Sequence, residues 1–179
     1  ESHNLDGTRR PDIILYVNGL PLAVIELKNF ADENATVEHA YNQLQVYKQQ
    51  IPDLFVYNEA LVIADGFDAR IGSLTANFEW FKPWRSVDGT GLEEGRSRLE
   101  TLIRGVFDPR RFLDIVRFFT LFETQRDQTI KKMAGYHQYF AANKAVVETL
   151  RAVSVSADSP ASEGAGRAGV IWHTQGSGK

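Results

Sequence analysis

The stretch DIILYVNGLPLAVIELK, residues 12–28, decides how this chain folds. Two runs rich in β-branched and apolar residues, 12–17 and 22–28, flank Asn18-Gly19-Leu20-Pro21, a strong turn signal, so the stretch reads as a β-hairpin. Side chains alternate faces along a strand, which puts Glu26 and Lys28 on one face and Leu27 on the other. Whether Asp12 joins Glu26 depends on the connection. A two-residue turn at Asn18-Gly19 would set Asp12 opposite Ile25, because a slip of one residue exchanges a strand's two faces. A loop of odd length would set Asp12 opposite Glu26. An odd loop is therefore expected, and Pro21, which cannot donate to the ladder, agrees with it.

The rest of the chain alternates strands and helices. Residues 35–50 carry Val37, Ala40, Tyr41, Leu44 and Tyr47 at helical spacing, and Pro52 stops that helix. Residues 54–57 and 60–64 read as strands, 69–74 and 77–81 as shorter ones, and 83–95 as a loop. Helices are expected over 96–105, 109–123 and 127–153. The order implies an α/β domain with a mixed sheet. Residues 154–168 are small and polar, a flexible loop, and 169–172 form a short buried-strand pattern leading into His173.

Composition narrows the function. With 179 residues and 43% hydrophobic content, the chain has room for one cored domain, or one and part of another. It has no cysteine, which excludes a disulfide scaffold, a thiolate zinc site and a cysteine nucleophile, and fits a cytoplasmic setting. No apolar run is long enough to span a membrane. The net charge of −3 argues mildly against DNA, whose phosphates are met by Lys and Arg. Basic pairs at Arg9-Arg10, Arg110-Arg111 and Lys131-Lys132 could still cluster locally, though the last reads as solvated surface. The histidines at 3, 39, 137 and 173 are scattered and read as structural or surface residues. Glu1 is not an initiator Met and Lys179 falls inside a phosphate-loop pattern, so a segment of a longer protein is expected.

Hydrolysis of a phosphodiester calls for a metal that polarises the phosphate and lowers the pKa of water. Mg²⁺ takes a few hard oxygen ligands. Asp12, Glu26 and the Leu27 carbonyl could supply them, and Lys28 could orient the nucleophile or stabilise developing charge. Taken singly, a Glu-x-Lys on a strand is commonly a solvated edge and an Asp opening a strand a turn residue. The apolar Val24-Ile25 before Glu26 favours a buried strand, where a charge needs a partner or a metal. Gln43 and Tyr47, four apart, share a helix face. They could reach the metal site or a phosphate; equally, Tyr47 could be core and Gln43 exposed.

The ordered set Asp12, Glu26-Leu27-Lys28, Gln43-x-x-x-Tyr47 resembles the PD-(D/E)xK nuclease superfamily, in its branch with a trailing Gln-x-x-x-Tyr motif. The run Arg9 to Asn29, the block Asn58 to Gly66, Gly72 to Ala76, Tyr136-His137-Gln138-Tyr139 with Asn143 to Val146, and Gly169 to Lys179 together resemble the R subunit of type I restriction enzymes along essentially the whole chain. The resemblance implies a restriction-endonuclease-like mixed sheet flanked by helices, over residues 1–125. It implies Mg²⁺ held by Asp12, Glu26 and the Leu27 carbonyl, Lys28 as catalytic lysine, and Gln43 and Tyr47 supporting the site or the DNA. A further acidic residue from an upstream helix is expected in this family. Partners implied are double-stranded DNA and the methyltransferase and specificity subunits, in a bacterial or archaeal cytoplasm.

Residues 126–179 would be a linker helix and the start of an ATP-dependent, RecA-like motor of superfamily 2. A full phosphate loop reads G-x-x-x-x-G-K-[ST]. Here Gly178-Lys179 fit, while His173 stands at the first glycine position. Gly176 and Gly178 would let backbone N–H groups approach phosphate and Lys179 would reach the terminal phosphates. Thr174, Gln175 and Ser177 complete the expected ATP-binding loop, with Gln138 resembling a glutamine that reads adenine. The competing reading is a non-catalytic nucleotide- or DNA-binding platform, or a subunit-docking module, on a nuclease-like fold.

Overall fold

A computed structural model describes residues 9–29, 36–158 and 167–172, with 155–158 described in their backbone alone. The described residues fall into two compact units, dividing between Met133 and Ala134.

The first unit is built on a four-stranded sheet. Strands β1 (Ile13–Val17) and β2 (Leu20–Leu27) form the expected antiparallel hairpin. Helix α1 (Val37–Gln50) follows, and β3 (Ala60–Ala64) then lies parallel to β2. Strand β4 (Ala69–Gly72) closes the order β1-β2-β3-β4, antiparallel to β3. The sheet is mixed, as the alternation of elements required. Every residue of β3 is buried, which suits an inner strand covered on both faces.

Helix α1 begins where the Thr36 hydroxyl accepts from the His39 N–H, and Asp65 accepts from the Val37 N–H. Its face carrying Val37, Ala40, Leu44 and Tyr47 packs with Val24, Leu61, Ile63, Phe55 and Phe81. That periodicity, read from sequence, is the reason the helix lies flat on β2 and β3. Helices α2 (Arg98–Val106) and α3 (Pro109–Phe118) are capped by Ser97 and Asp108, with Pro109 pre-set for the first helical turn. Leu102, Val106, Phe112 and Ile115 are their buried hydrophobic residues. Gly105 lets α2 close on Trp84: a Cβ there would lie 2.4 Å from the indole.

Several expectations need correction. The hairpin turn has two residues, not an odd number: Val17 pairs with Leu20 across Asn18 (φ 50°) and Gly19 (φ 81°), the left-handed pair that a tight primed turn demands. Residues 54–57 are not a strand, because Pro52 opens a 3₁₀ turn over Pro52–Phe55. Residues 77–81 likewise contain a 3₁₀ turn, Phe78–Trp80, after which Lys82 bridges Ile71 of β4. The helix expected over 109–123 ends at Phe118, and the one expected from 127 is preceded by strands β5 (Thr120–Gln125) and β6 (Gln128–Met133). Arg126, at φ 54°, turns this hairpin, and its Thr, Ile and Phe residues favour the pleated surface. The boundary expected between 125 and 126 therefore falls inside a hairpin that belongs wholly to the first unit.

Lys131 and Lys132 are not both solvated surface. Lys131 is 8% exposed; its Nζ donates to the Asn58 carbonyl (2.8 Å) and to Glu59 Oε2 (2.5 Å). Its backbone N–H donates to the Thr75 hydroxyl, and its carbonyl accepts from the Ser73 and Thr75 hydroxyls. One buried lysine thus fastens β6 to the segments on either side of β3 and β4.

In the second unit, α4 (Tyr136–Asp158) replaces part of the expected flexible loop. Gly169 to Trp172 form no strand and are solvent-exposed, Val170 at 89% and Trp172 at 90%. No helix of the described residues is long and apolar enough to cross a membrane.

Candidate functional site

The hairpin supplies the site, and a bulge sets its geometry. Val17 pairs with Leu20 and Tyr16 with Pro21, but Leu15 pairs with Ala23. Leu22 is the extra residue, and its carbonyl accepts from the Glu59 N–H (2.7 Å). The shift continues as Ile14 with Val24 and Ile13 with Ile25, so the next residue, Asp12, lies opposite Glu26. A two-residue turn alone would have faced the carboxylates apart. The bulge restores the parity that an odd loop was expected to provide.

Glu26 is 3% exposed, on the face that also carries Val24. Lys28 Nζ donates to its Oε1 at 2.9 Å, while its buried Oε2 has no hydrogen-bond partner among the described residues. Burial pushes the Glu26 carboxyl above its ordinary value and the negative charge of Asp12 adds to this, against the bond and charge of Lys28 and a bond from the Asp12 backbone N–H. Asp12 Oδ2 accepts from the Leu27 N–H at 2.7 Å. Leu27 is held meanwhile in register with Ala64 of β3.

Helix α1 contributes from above. Tyr47 is buried, and its hydroxyl donates to the Arg10 carbonyl at 3.2 Å. Its phenol is pushed up, first by burial and next by the charge of Glu26, with Asp12 adding and a hydrogen bond with Gln43 opposing. Tyr47 therefore belongs to the core and also adjoins the carboxylates. Arg9 reaches Gln50 of α1, so the segment leading into β1 is tied to the helix twice. This role of Arg9 and the Arg10 carbonyl is not legible in the residue pattern, since a backbone acceptor leaves no compositional trace.

Asp12, Glu26, Lys28, Gln43 and Tyr47 are brought together. They leave one more carboxylate than cation, and a buried carboxylate oxygen without a donor. That donor set suits a hard divalent cation. Among the described residues no group of three or more His, Asp or Glu side chains is placed to hold a metal, so two carboxylates and backbone oxygen are what this site offers.

Gln138 belongs to the second unit. Gln138 stands in the first turn of α4, where its side-chain oxygen accepts from the Gly135 N–H at 2.8 Å. Thr174, Gln175, Gly176, Ser177, Gly178 and Lys179 lie outside the described residues, as do His3 and His173.

Comparison with known proteins adds two matches along the chain. Residues 2–80 match the family described as type I restriction enzyme R protein N terminus, and residues 137–179 match the SWI2/SNF2 ATPase family. The type I restriction enzyme HindI endonuclease subunit of Haemophilus influenzae is 48% identical over 97% of this chain. The putative type I restriction enzyme MjaIXP endonuclease subunit of Methanocaldococcus jannaschii is 28% identical over 96%. The chain spans 16% and 17% of the lengths of these two relatives.

Proposed function

The chain belongs to the type I restriction enzyme R proteins as a segment of their N-terminal region, and on that premise we propose that it supplies the DNA-cleaving centre. The reaction is Mg²⁺-dependent hydrolysis of phosphodiesters in double-stranded DNA, on a PD-(D/E)xK-type sheet. The observation that carries this reading is the bulge at Leu22, which sets Asp12 opposite a buried Glu26 two residues from Lys28. A purely structural hairpin has no need to bury an incompletely bonded carboxylate beside a second one.

Asp12, Glu26 and the Leu27 carbonyl would hold the ion, which supplies Lewis-acid polarisation of the scissile phosphate. Lys28 places a positive charge where negative charge develops on the phosphate oxygens, and its Nζ–H can orient the attacking water. Tyr47 and Gln43 keep the carboxylate face and the Arg10 segment in place. Hydrogen bonding of Leu27 N–H to Asp12 couples the two ligand-bearing strands, so neither carboxylate moves alone.

Residues 134–179 would begin the ATP-driven motor, with Gln138 and the loop Thr174 to Lys179 binding ATP. The SWI2/SNF2 match over 137–179 supports this. Cleavage would then be coupled to translocation, in assembly with methyltransferase and specificity subunits.

The test is Mg²⁺-dependent cleavage of duplex DNA by the assembled enzyme. Lys28→Ala and Asp12→Ala should each lower the cleavage rate on the order of 10²–10³-fold, the usual cost of losing a charge-stabilising group. ATP hydrolysis should persist in both. Wild-type cleavage rates in both variants would leave a non-catalytic platform as the function.

A further inference from the structure

The row of paired residues across the sheet runs from Glu26 to Ile63 of β3 and on to Arg70 of β4. Directly paired residues share a face, so Arg70 stands on the same side as Glu26, two strand spacings or about 10 Å away. Beyond Arg70 the chain forms an open groove of about 480 Å³ lined by Arg70, Lys82, Arg85 and Arg98. Two carboxylates share it. Asp68 is taken up by Arg70 at 2.7 Å, which leaves Glu79 against three cations.

Lys82, Arg85 and Arg98 are exposed, and no ion pair among the described residues ties them down. Lys82 Nζ instead lies over the exposed Trp80 ring at 5.5 Å, and Phe67 at the groove's rim is 73% exposed. The chain as a whole is acidic, so four basic side chains in one groove reverse its charge locally. The groove is rigidly placed: Ile71 and Lys82 exchange both backbone hydrogen bonds at 2.9 Å, which fastens its floor to β4.

We propose that this groove is a second DNA-backbone site, in which Lys82, Arg85 and Arg98 take phosphates of a duplex whose scissile bond lies at Asp12, Glu26 and Lys28. The proposal rests on the nuclease reading above for the identity of the duplex. A duplex is a polyanion whose charge repeats along its backbone, and cations are what hold it. Contacts of this kind fix orientation without reading sequence. The site therefore positions the DNA and adds no base preference.

The probe is a fluorescein-labelled duplex of mixed sequence, titrated with the intact R subunit across a salt series. In the combined variant Lys82→Gln, Arg85→Gln, Arg98→Gln, the magnitude of the log–log salt slope should fall by about 2–3, near 0.9 for each lost contact, with affinity down about tenfold or more at low salt. Each single variant should lower the slope by about one. Lys82→Arg, Arg85→Lys, Arg98→Lys should restore wild-type binding, which a structural role for these side chains would not do. Lys28→Ala should lose cleavage in the assembled enzyme. Wild-type affinity and slope in the Gln variant overturn the proposal, and so does loss of subunit assembly with DNA binding intact. Full cleavage by Lys28→Ala would remove the nuclease reading while leaving the groove's own result legible.

Discussion

Glu26 holds one oxygen on Lys28 and the other in a buried space without a donor. Its carboxyl is raised above the ordinary 4.5, chiefly by burial, so folding favours the protonated form. A group raised in this way contributes stability that is full below its unfolded value and is lost as pH rises through its folded value. Without divalent cation, Glu26→Gln should therefore melt higher than wild type above that window, and the gap should close toward acid pH. Thermal melts across pH read this directly; a variant that melts lower at every pH would contradict the burial argument. The same variant should not cleave DNA. Lys131 is the opposite case, a buried charge whose ammonium donates to two acceptors. Lys131→Ala leaves Glu59 and the Asn58 carbonyl without their partner and should cost roughly 3–5 kcal/mol, read by denaturant unfolding. From sequence the lysine looked like half of a surface pair, because no local pattern records a partner more than seventy residues away.

At the scale of elements, what was legible followed from period and punctuation. The hairpin, α1, β3 and the capped helices α2 and α3 were visible because their apolar spacing and their turn or cap residues agree with one another. The errors fell where only one signal existed. Residues 120–133 carry mixed polar and apolar positions that fit either period, and the turn at Arg126 holds no glycine. The bulge was invisible for a different reason: it is a two-strand property, and the sequence of one strand does not state its register. Gly105 offers an element-scale test. In an exposed helix, Gly to Ala is stabilising by up to about 1 kcal/mol. Here a Cβ would meet Trp84 at 2.4 Å and the Ser86 carbonyl at 2.8 Å. Gly105→Ala should instead destabilise by about 1–3 kcal/mol, a drop of about 2–4 °C in Tm per kcal/mol, and a rise in Tm would refute the close approach.

For the molecule as a whole, net charge obscures a local separation of carboxylates at the candidate site from cations in the groove. A chain at −3 reads as unsuited to DNA only if charge is averaged over its surface. Divalent binding gives a whole-molecule readout. A ligand that binds the folded state alone stabilises it, by about 2.7 kcal/mol at a hundredfold excess over Kd. Mg²⁺ should raise the Tm of the wild type and leave that of Asp12→Ala unmoved. An equal rise in both would place the ion elsewhere. The candidate residues of the first unit could be named in advance because each motif is short and local. In the second unit Gln138 could be named only by resemblance, while the phosphate-loop reading leaned on a strand expected just before it, and Gly169 to Trp172 form no strand in this structure.

The extra residue at Leu22 also constrains descent. Thirteen residues separate Asp12 from Glu26, an odd number that cannot be divided between opposed pairs and a two-residue turn without one residue left over. Leu22 is that remainder. A relative with one residue fewer can face its carboxylates across the same turn with no bulge, and a relative with one residue more can do so by widening the turn to three. Length changes among related chains should therefore collect at the turn and at the bulge, because there they leave the opposed pairs in step, whereas a slip within the ladder turns the two carboxylates to opposite faces.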